Sequence, residues 1–166
     1  MLYVLGIGTN LGNKIANIKI AIGHISSKLN IVKISNIYKS EALLKPEHPK
    51  EWGKPFLNLA ILIKFNAEPE QLLAILKLIE SKMGRNKNSP TWSPRIIDLD
   101  ILIAEKFTIN TSNLQIPHIE FFNRDFALIP ASEVAPNIVY EQKTLIEHCK
   151  KFKNIKIKLV DTKEIK

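Results

Sequence analysis

At 166 residues the chain suits one domain with an ordinary core, and 45% hydrophobic against 24% charged residues is a globular balance that excludes disorder. The net charge of +8 weakly favours an anionic partner, since lysines scattered through the helices and tail supply much of it. A single cysteine, Cys149, excludes an intrachain disulfide or a thiolate zinc site; with neither a signal-peptide pattern at Met1-Leu2-Tyr3-Val4 nor an apolar run of membrane-spanning length, the expectation is a soluble cytoplasmic protein.

Leu2 to Ile7 reads as a buried strand closed by the turn Gly8-Thr9-Asn10-Leu11-Gly12-Asn13. Ile15, Ile18, Ala21, Ile22 and Ile25 then keep helical spacing from about Asn13 to Leu29, with Asn10 or Asn13 as the cap. The glycine spacing matches neither a P-loop nor a dinucleotide fingerprint, so the turn reads as a tight connection. Ile31 to Tyr38 is a second strand. Residues 39–55 follow with three prolines, His48 and Trp52 and no periodicity, and so long a loop is usually a functional lid or a disordered segment. Phe56 to Phe65 is a third strand, in which Asn58 either holds loop backbone or reads a ligand's donors and acceptors.

Glu68 to Met83 is a helix with Pro69 in its first turn, an inner stripe of Leu72, Leu73, Ile75, Leu76 and Ile79, and Gly84 as its stop. Glu80 stands against the helix dipole, a conflict that a nearby arginine or a ligand would resolve. Ile97 to Ile103 is the fourth strand. Asp98 and Asp100 leave one of its faces ~6.6 Å apart along the chain, a spacing suited to a hard cation or a close pair of them. Asp is poorly suited to strands, and Arg95 and Trp92 stand just upstream, so the stretch points to a nucleotide phosphate site rather than to a solvated strand face. Residues 105–116 suggest a short hairpin, and helical material begins at Phe121 and reaches about Ala135. His118 alone reads as a hydrogen-bonded structural residue. Ile155 to Leu159 alternates as an edge strand or begins a linker.

The order strand, helix, strand, strand, helix, strand predicts an α+β, ferredoxin-like fold, an antiparallel sheet with helices packed mainly on one face and a C-terminal extension. In order along the chain, Ile7-Gly8-Thr9-Asn10-Leu11-Gly12, Phe56-Leu57-Asn58, Ile79-Glu80-Ser81-Lys82-Met83-Gly84-Arg85, Trp92-Ser93-Pro94-Arg95-Ile96-Ile97-Asp98-Leu99-Asp100, and Ile116-Pro117-His118 with Asn123-Arg124 resemble the 6-hydroxymethyl-7,8-dihydropterin pyrophosphokinases of folate biosynthesis. The resemblance covers Leu2 to about Pro136. It implies transfer of pyrophosphate from MgATP to the hydroxymethyl group of the reduced pterin, releasing AMP.

By that resemblance the catalytic residues are Arg85, Arg95, Asp98 and Asp100. The two aspartates hold two Mg²⁺ ions, and the arginines clamp phosphates, for which a forked guanidinium is suited. Glu80, Lys87, Trp92, Arg95, Ile101, His118 and Arg124 take the ATP side. Phe56 and Phe126 stack the pterin, with Trp92 beside it and Asn58, Ser40 and Leu43 along its edge. The implied partners are ATP and the pterin alone, with no nucleic acid or membrane, in a monomer. Residues 1–166 form a single pyrophosphokinase domain, whose end at 150–166 is an edge strand or a linker to a fused dihydropteroate synthase or dihydroneopterin aldolase.

Four positions depart from the family pattern: Ser93 for glycine, Lys87 for arginine, and Ile119 and Phe56 for tyrosine. None removes a metal ligand, so changed affinities rather than lost activity are expected. A nucleotidyltransferase palm could also present two aspartates to two metals but would release pyrophosphate. An RNA-binding domain would account for the charge but lacks the aromatic-basic strand pattern.

Overall fold

The computed structural model describes residues 1–86 and 88–161. The chain runs β1 (Leu2–Thr9), α1 (Lys14–Ser26), β2 (Asn30–Ile34), β3 (Tyr38–Ser40), β4 (Phe56–Lys64), α2 (Pro69–Lys82), β5 (Asp98–Ala104), β6 (Ile109–Asn110), β7 (Gln115–Ile116), α3 (Asp125–Val134), β8 (Val139–Tyr140), β9 (Lys143–Thr144), α4 (Leu145–Cys149) and β10 (Lys158–Leu159). The main sheet is antiparallel in the order β10-β3-β4-β1-β5, with β2 also on β4. β1 therefore stands between the third and fourth strands of the expected βαββαβ core.

Side-chain alternation sorts the two faces of the sheet. Tyr3, Leu5, Ile7, Leu59, Ile61 and Leu99 pack under α1 and α2 through Ile18, Ile25, Leu72, Leu76 and Ile79. Val4, Ala60, Leu62 and Leu102 face the other way and are covered by Leu128, Ala131 and Val134 of α3 and Leu145 of α4. The two longest helices do share one face, as expected, but the shorter pair covers part of the second. That second face carries the site.

Local chemistry explains several boundaries. Asn13, one of the two candidate caps, accepts the Ala16 amide at 3.1 Å. Asn10 is used elsewhere. The second strand is not continuous: Ser35 breaks it into β2 and β3 by accepting the Ala60 amide on its own hydroxyl at 2.9 Å. Gly84, at φ +86°, takes the left-handed turn that ends α2. The hairpin expected near 105–116 is the β6–β7 pair, and the tail does add an edge strand, β10 against β3.

Candidate active site

The cavity exists because α3 covers only part of its face of the sheet. Where β1 would present side chains beyond that cover it has Gly6 and Gly8, which pair across the sheet with Asp100 and Asp98 on one side and with Ala60 and Asn58 on the other. A Cβ at Gly6 would come within 3.0 Å of Leu102, and one at Gly8 would stand 3.4 Å from the Asn58 side-chain oxygen. The floor is thus bare backbone. Above it opens a cavity of ≈ 710 Å³, closed at its sides by the loops before β4 and β5 and by the start of α3.

One end of the cavity is ionic. Asp98 receives Arg85 on Oδ1 at 2.5 Å and Arg95 on Oδ2 at 2.8 Å. The same Arg85 nitrogen also donates to Glu80, which is only 4% exposed. Burial alone would lower the Arg85 pKa, but Asp98 and Glu80 outweigh it and hold the guanidinium above its ordinary value. Glu80 further accepts the Leu99 amide at 2.7 Å and Lys77 at 3.0 Å. The expected conflict with the α2 dipole is therefore resolved by two cations and a backbone donor, and the same carboxylate pins α2 to β5 between the two aspartates. Asp100 has no side-chain hydrogen bond among the described residues, and burial, then Asp98, pushes it up to about 7.

His118 enters from the segment before α3. Its amide donates to Leu102 O at 2.9 Å and its Nδ1 accepts the Glu120 amide at 3.2 Å. In the neutral ring the proton therefore sits on Nε2. Burial and Arg124 lower its pKa, so the ring is neutral at pH 7. The Arg124 guanidinium lies 5.7 Å from the Trp92 ring centre and 5.8 Å from that of Phe126. Trp92 itself is held at φ 73°, and its ring meets His48 of the 39–55 loop at 6.2 Å.

The other end is built on a neutral hydrogen-bonded pair. Asn58 donates to Ser40 Oγ at 2.9 Å, and both side chains are buried. Phe56, Phe126, Trp92 and Leu43 supply apolar walls around them. The cavity so gathers Ser40, Leu43, Phe56, Asn58, Arg85, Trp92, Arg95, Asp98, Asp100, His118, Arg124 and Phe126, residues that span the chain from position 40 to 126. Glu80 stands behind Arg85, outside the lining. Ile101 does not line the cavity: the alternation that brings Asp100 into it turns the Ile101 side chain into the core under α2, where it is 3% exposed. Lys87 lies outside the described residues.

Four contributors were not among the site residues expected from the sequence. Gly6 and Gly8 share one face by the same period of two that flags the aspartates. Lys77 lines the cavity three residues before Glu80, at ion-pair spacing on α2. Asn10 joins three loops: its Oδ1 accepts the Arg95 amide at 2.8 Å, its own amide donates to Arg95 O at 3.2 Å, and its Nδ2 donates to Lys54 O at 3.2 Å. Its place in the Ile7-Gly8-Thr9-Asn10-Leu11-Gly12 motif, just past a buried strand, was the sequence signal for that role.

A family model described as 7,8-dihydro-6-hydroxymethylpterin-pyrophosphokinase matches residues 4–136. The chain is 36% identical over 140 residues to the 2-amino-4-hydroxy-6-hydroxymethyldihydropteridine pyrophosphokinase of Aquifex aeolicus, covering 82% of this chain and 81% of that one. To the protein of the same name from Bacillus subtilis it is 30% identical over 139 residues, 82% and 80% of the two chains. It is 33% identical over 152 residues to a folate synthesis bifunctional protein of Chlamydia caviae, covering 91% of this chain and 34% of that relative, so it spans about a third of the latter's length. Among solved structures, wild-type HPPK-DHPS of Plasmodium falciparum with pterin and p-hydroxybenzoate superposes with a TM-score of 0.73 at 18% identity, over 95% of this chain and 46% of that one. That last likeness is one of fold.

Proposed function

The chain belongs to the 7,8-dihydro-6-hydroxymethylpterin-pyrophosphokinase family, whose activity serves folate biosynthesis, and from that premise we propose how its cavity carries the reaction. The ionic end takes the triphosphate of ATP, and the neutral end takes 6-hydroxymethyl-7,8-dihydropterin. The hydroxymethyl oxygen attacks the β-phosphorus, the bond from that phosphorus to the oxygen bridging to the α-phosphate breaks, and AMP leaves with that oxygen while the hydroxyl proton is released. The observation that carries this reading is the convergence of Asp98, Asp100, Arg85 and Arg95 over the bare floor of Gly6 and Gly8.

The residues present fit Mg²⁺. Two carboxylates side by side are hard oxygen donors, Asp100 half-buried, and among the described residues Asp100 has no ion pair and no third acidic or histidine ligand completes a cage. That donor set suits a cation whose remaining ligands are phosphate oxygens and water. When bound there, Mg²⁺ would neutralise the polyphosphate and orient it for in-line displacement. Arg85 and Arg95, which hold Asp98 between them, would exchange that carboxylate for phosphate oxygens, so that nucleotide entry frees Asp98 for the cation. Neutral His118 offers Nε2–H as a donor that needs no proton change at pH 7. Such positioning and charge stabilisation suffice for phosphoryl chemistry without a covalent intermediate.

Every residue used in this reading lies on this one chain. Among the described residues no helix is long and apolar enough to cross a membrane, and the proposed setting is the cytoplasm. The test is nucleotide analysis with MgATP and the pterin, comparing the parent with Asp98→Ala and Asp100→Ala. AMP that depends on the pterin and vanishes in both variants is expected; AMP insensitive to both would overturn the assignment.

A further inference from the structure

We propose that residues 156–160, which lie beyond the segment matched by the family model, act as a strap that positions the pterin wall of the cavity, an inference that rests on the assignment of the neutral end to the pterin. The strap makes two anchors. On one side Lys158 and Leu159 pair antiparallel with Lys39 and Tyr38, and Val160 donates its amide to Ile37 O at 2.9 Å. Ile157 is buried beside them at 8% exposure, and Val160 packs on the larger core. On the other side Lys156 donates its amide to Asp125 Oδ2 at 2.8 Å.

Both anchors end next to pterin-side residues. β3 is a three-residue strand whose last member, Ser40, is the acceptor that orients Asn58. The Asp125 carboxylate accepts the Phe126 amide on its other oxygen at 2.8 Å, so one carboxylate joins the strap to the peptide that carries the stacking ring. A third link closes the ring directly between β3 and α3: Tyr38 donates its hydroxyl to Glu133, and the Asn36 amide donates to the same carboxylate at 2.9 Å.

A strand of three residues has few hydrogen bonds with which to resist local opening, so pairing along its second edge supplies much of its rigidity. Strap, β3 and α3 together set the distance between Ser40 with Asn58 and the ring of Phe126, which is the width of the slot a flat heterocycle must enter. Among the described residues no hydrogen bond or ion pair of the strap reaches Arg85, Arg95, Asp98 or Asp100. The strap therefore acts chiefly on pterin binding, and meets the ATP side only through Phe126, whose ring lies 5.8 Å from the Arg124 guanidinium.

The experiment uses the full chain in three variants. Val160→Pro deletes the amide donated to Ile37, Val160→Ala keeps it, and Asp125→Ala cuts the second anchor without touching either fold of the edge pairing. In Val160→Pro and Asp125→Ala the pterin KM is expected to rise about tenfold through lost preorganisation, while the ATP KM stays within about twofold. Amide hydrogen exchange at Lys39 and Ser40 is expected to quicken in Val160→Pro, and Val160→Ala is expected to match the parent in every readout. Should Val160→Pro fail to fold, Asp125→Ala carries the same kinetic comparison. An unchanged pterin KM in a foldable anchor variant, or pterin and ATP KM rising together, overturns the strap while the parent's production of AMP leaves the function standing. A parent that makes no AMP with the pterin overturns both, and unchanged exchange in β3 overturns the strap whatever the substrate.

Discussion

Around Asp98 the cavity is held by charge, with two guanidinium groups, a second carboxylate and a lysine sharing one network. Around Asn58 it is held by a neutral hydrogen bond, aromatic walls and backbone pairing. The difference matters for how each half meets its ligand. Ion pairs can exchange one anion for another at little net cost, so the phosphate half can reorganise as nucleotide enters. A buried amide–hydroxyl pair beside bare backbone has no such alternative, so the pterin half must be correct before the ligand arrives.

The contrast breaks most sharply at the aspartates. Asp98→Ala and Asp100→Ala are expected to lower the single-turnover rate by about 10³-fold, the scale of losing a major electrostatic element, while pterin binding measured without nucleotide stays the same. A parallel loss of pterin affinity would show that the halves are not separable. Arg95→Lys should follow with a loss of about 10²-fold in kcat/KM for ATP, because an ammonium cannot reproduce the forked contact. Its pterin KM is expected to remain at the parental value.

On the neutral side, Asn58→Ala leaves the buried Ser40 hydroxyl without its partner. The expected cost is about 1–3 kcal/mol in denaturant unfolding, together with a raised pterin KM and an unchanged ATP KM. The smallest effect concerns His118, whose pKa is lowered first by burial and then by Arg124. With the folded value below the unfolded one, its contribution to stability is present above about pH 6.5 and falls away as pH drops through the folded value. An NMR titration of the ring should give a midpoint below about 6.5. A midpoint above the working pH would mean that the imidazolium, and not Nε2–H of the neutral ring, faces the phosphates.

Much of this arrangement was legible from periodicity. Alternation put Asp98 and Asp100 on one face of β5, and the same rule turns the Ile101 side chain away from that face and into the core. The break at Ser35 was not legible, because it depends on Ala60 donating across the sheet from a residue 25 positions away. Nor was the face chosen by α3. Helical spacing between Phe121 and Ala135 shows that an apolar stripe exists, but the long connection from β5 decides which side of the sheet it covers. Asn10 was read as a cap candidate from local spacing, whereas its partners Lys54 and Arg95 become neighbours only once the loops have assembled.

Trp92 remains, a bulky residue held at φ 73° in a conformation that costs a non-glycine residue roughly 1–2 kcal/mol. Replacing it by glycine would release that energy, so Trp92→Gly should leave the loop backbone more at ease and the cavity poorer by one ring under Arg124 and beside His48. Stability and usefulness pull in opposite directions at this one position. The chain keeps the aromatic surface there against the preference of its own backbone.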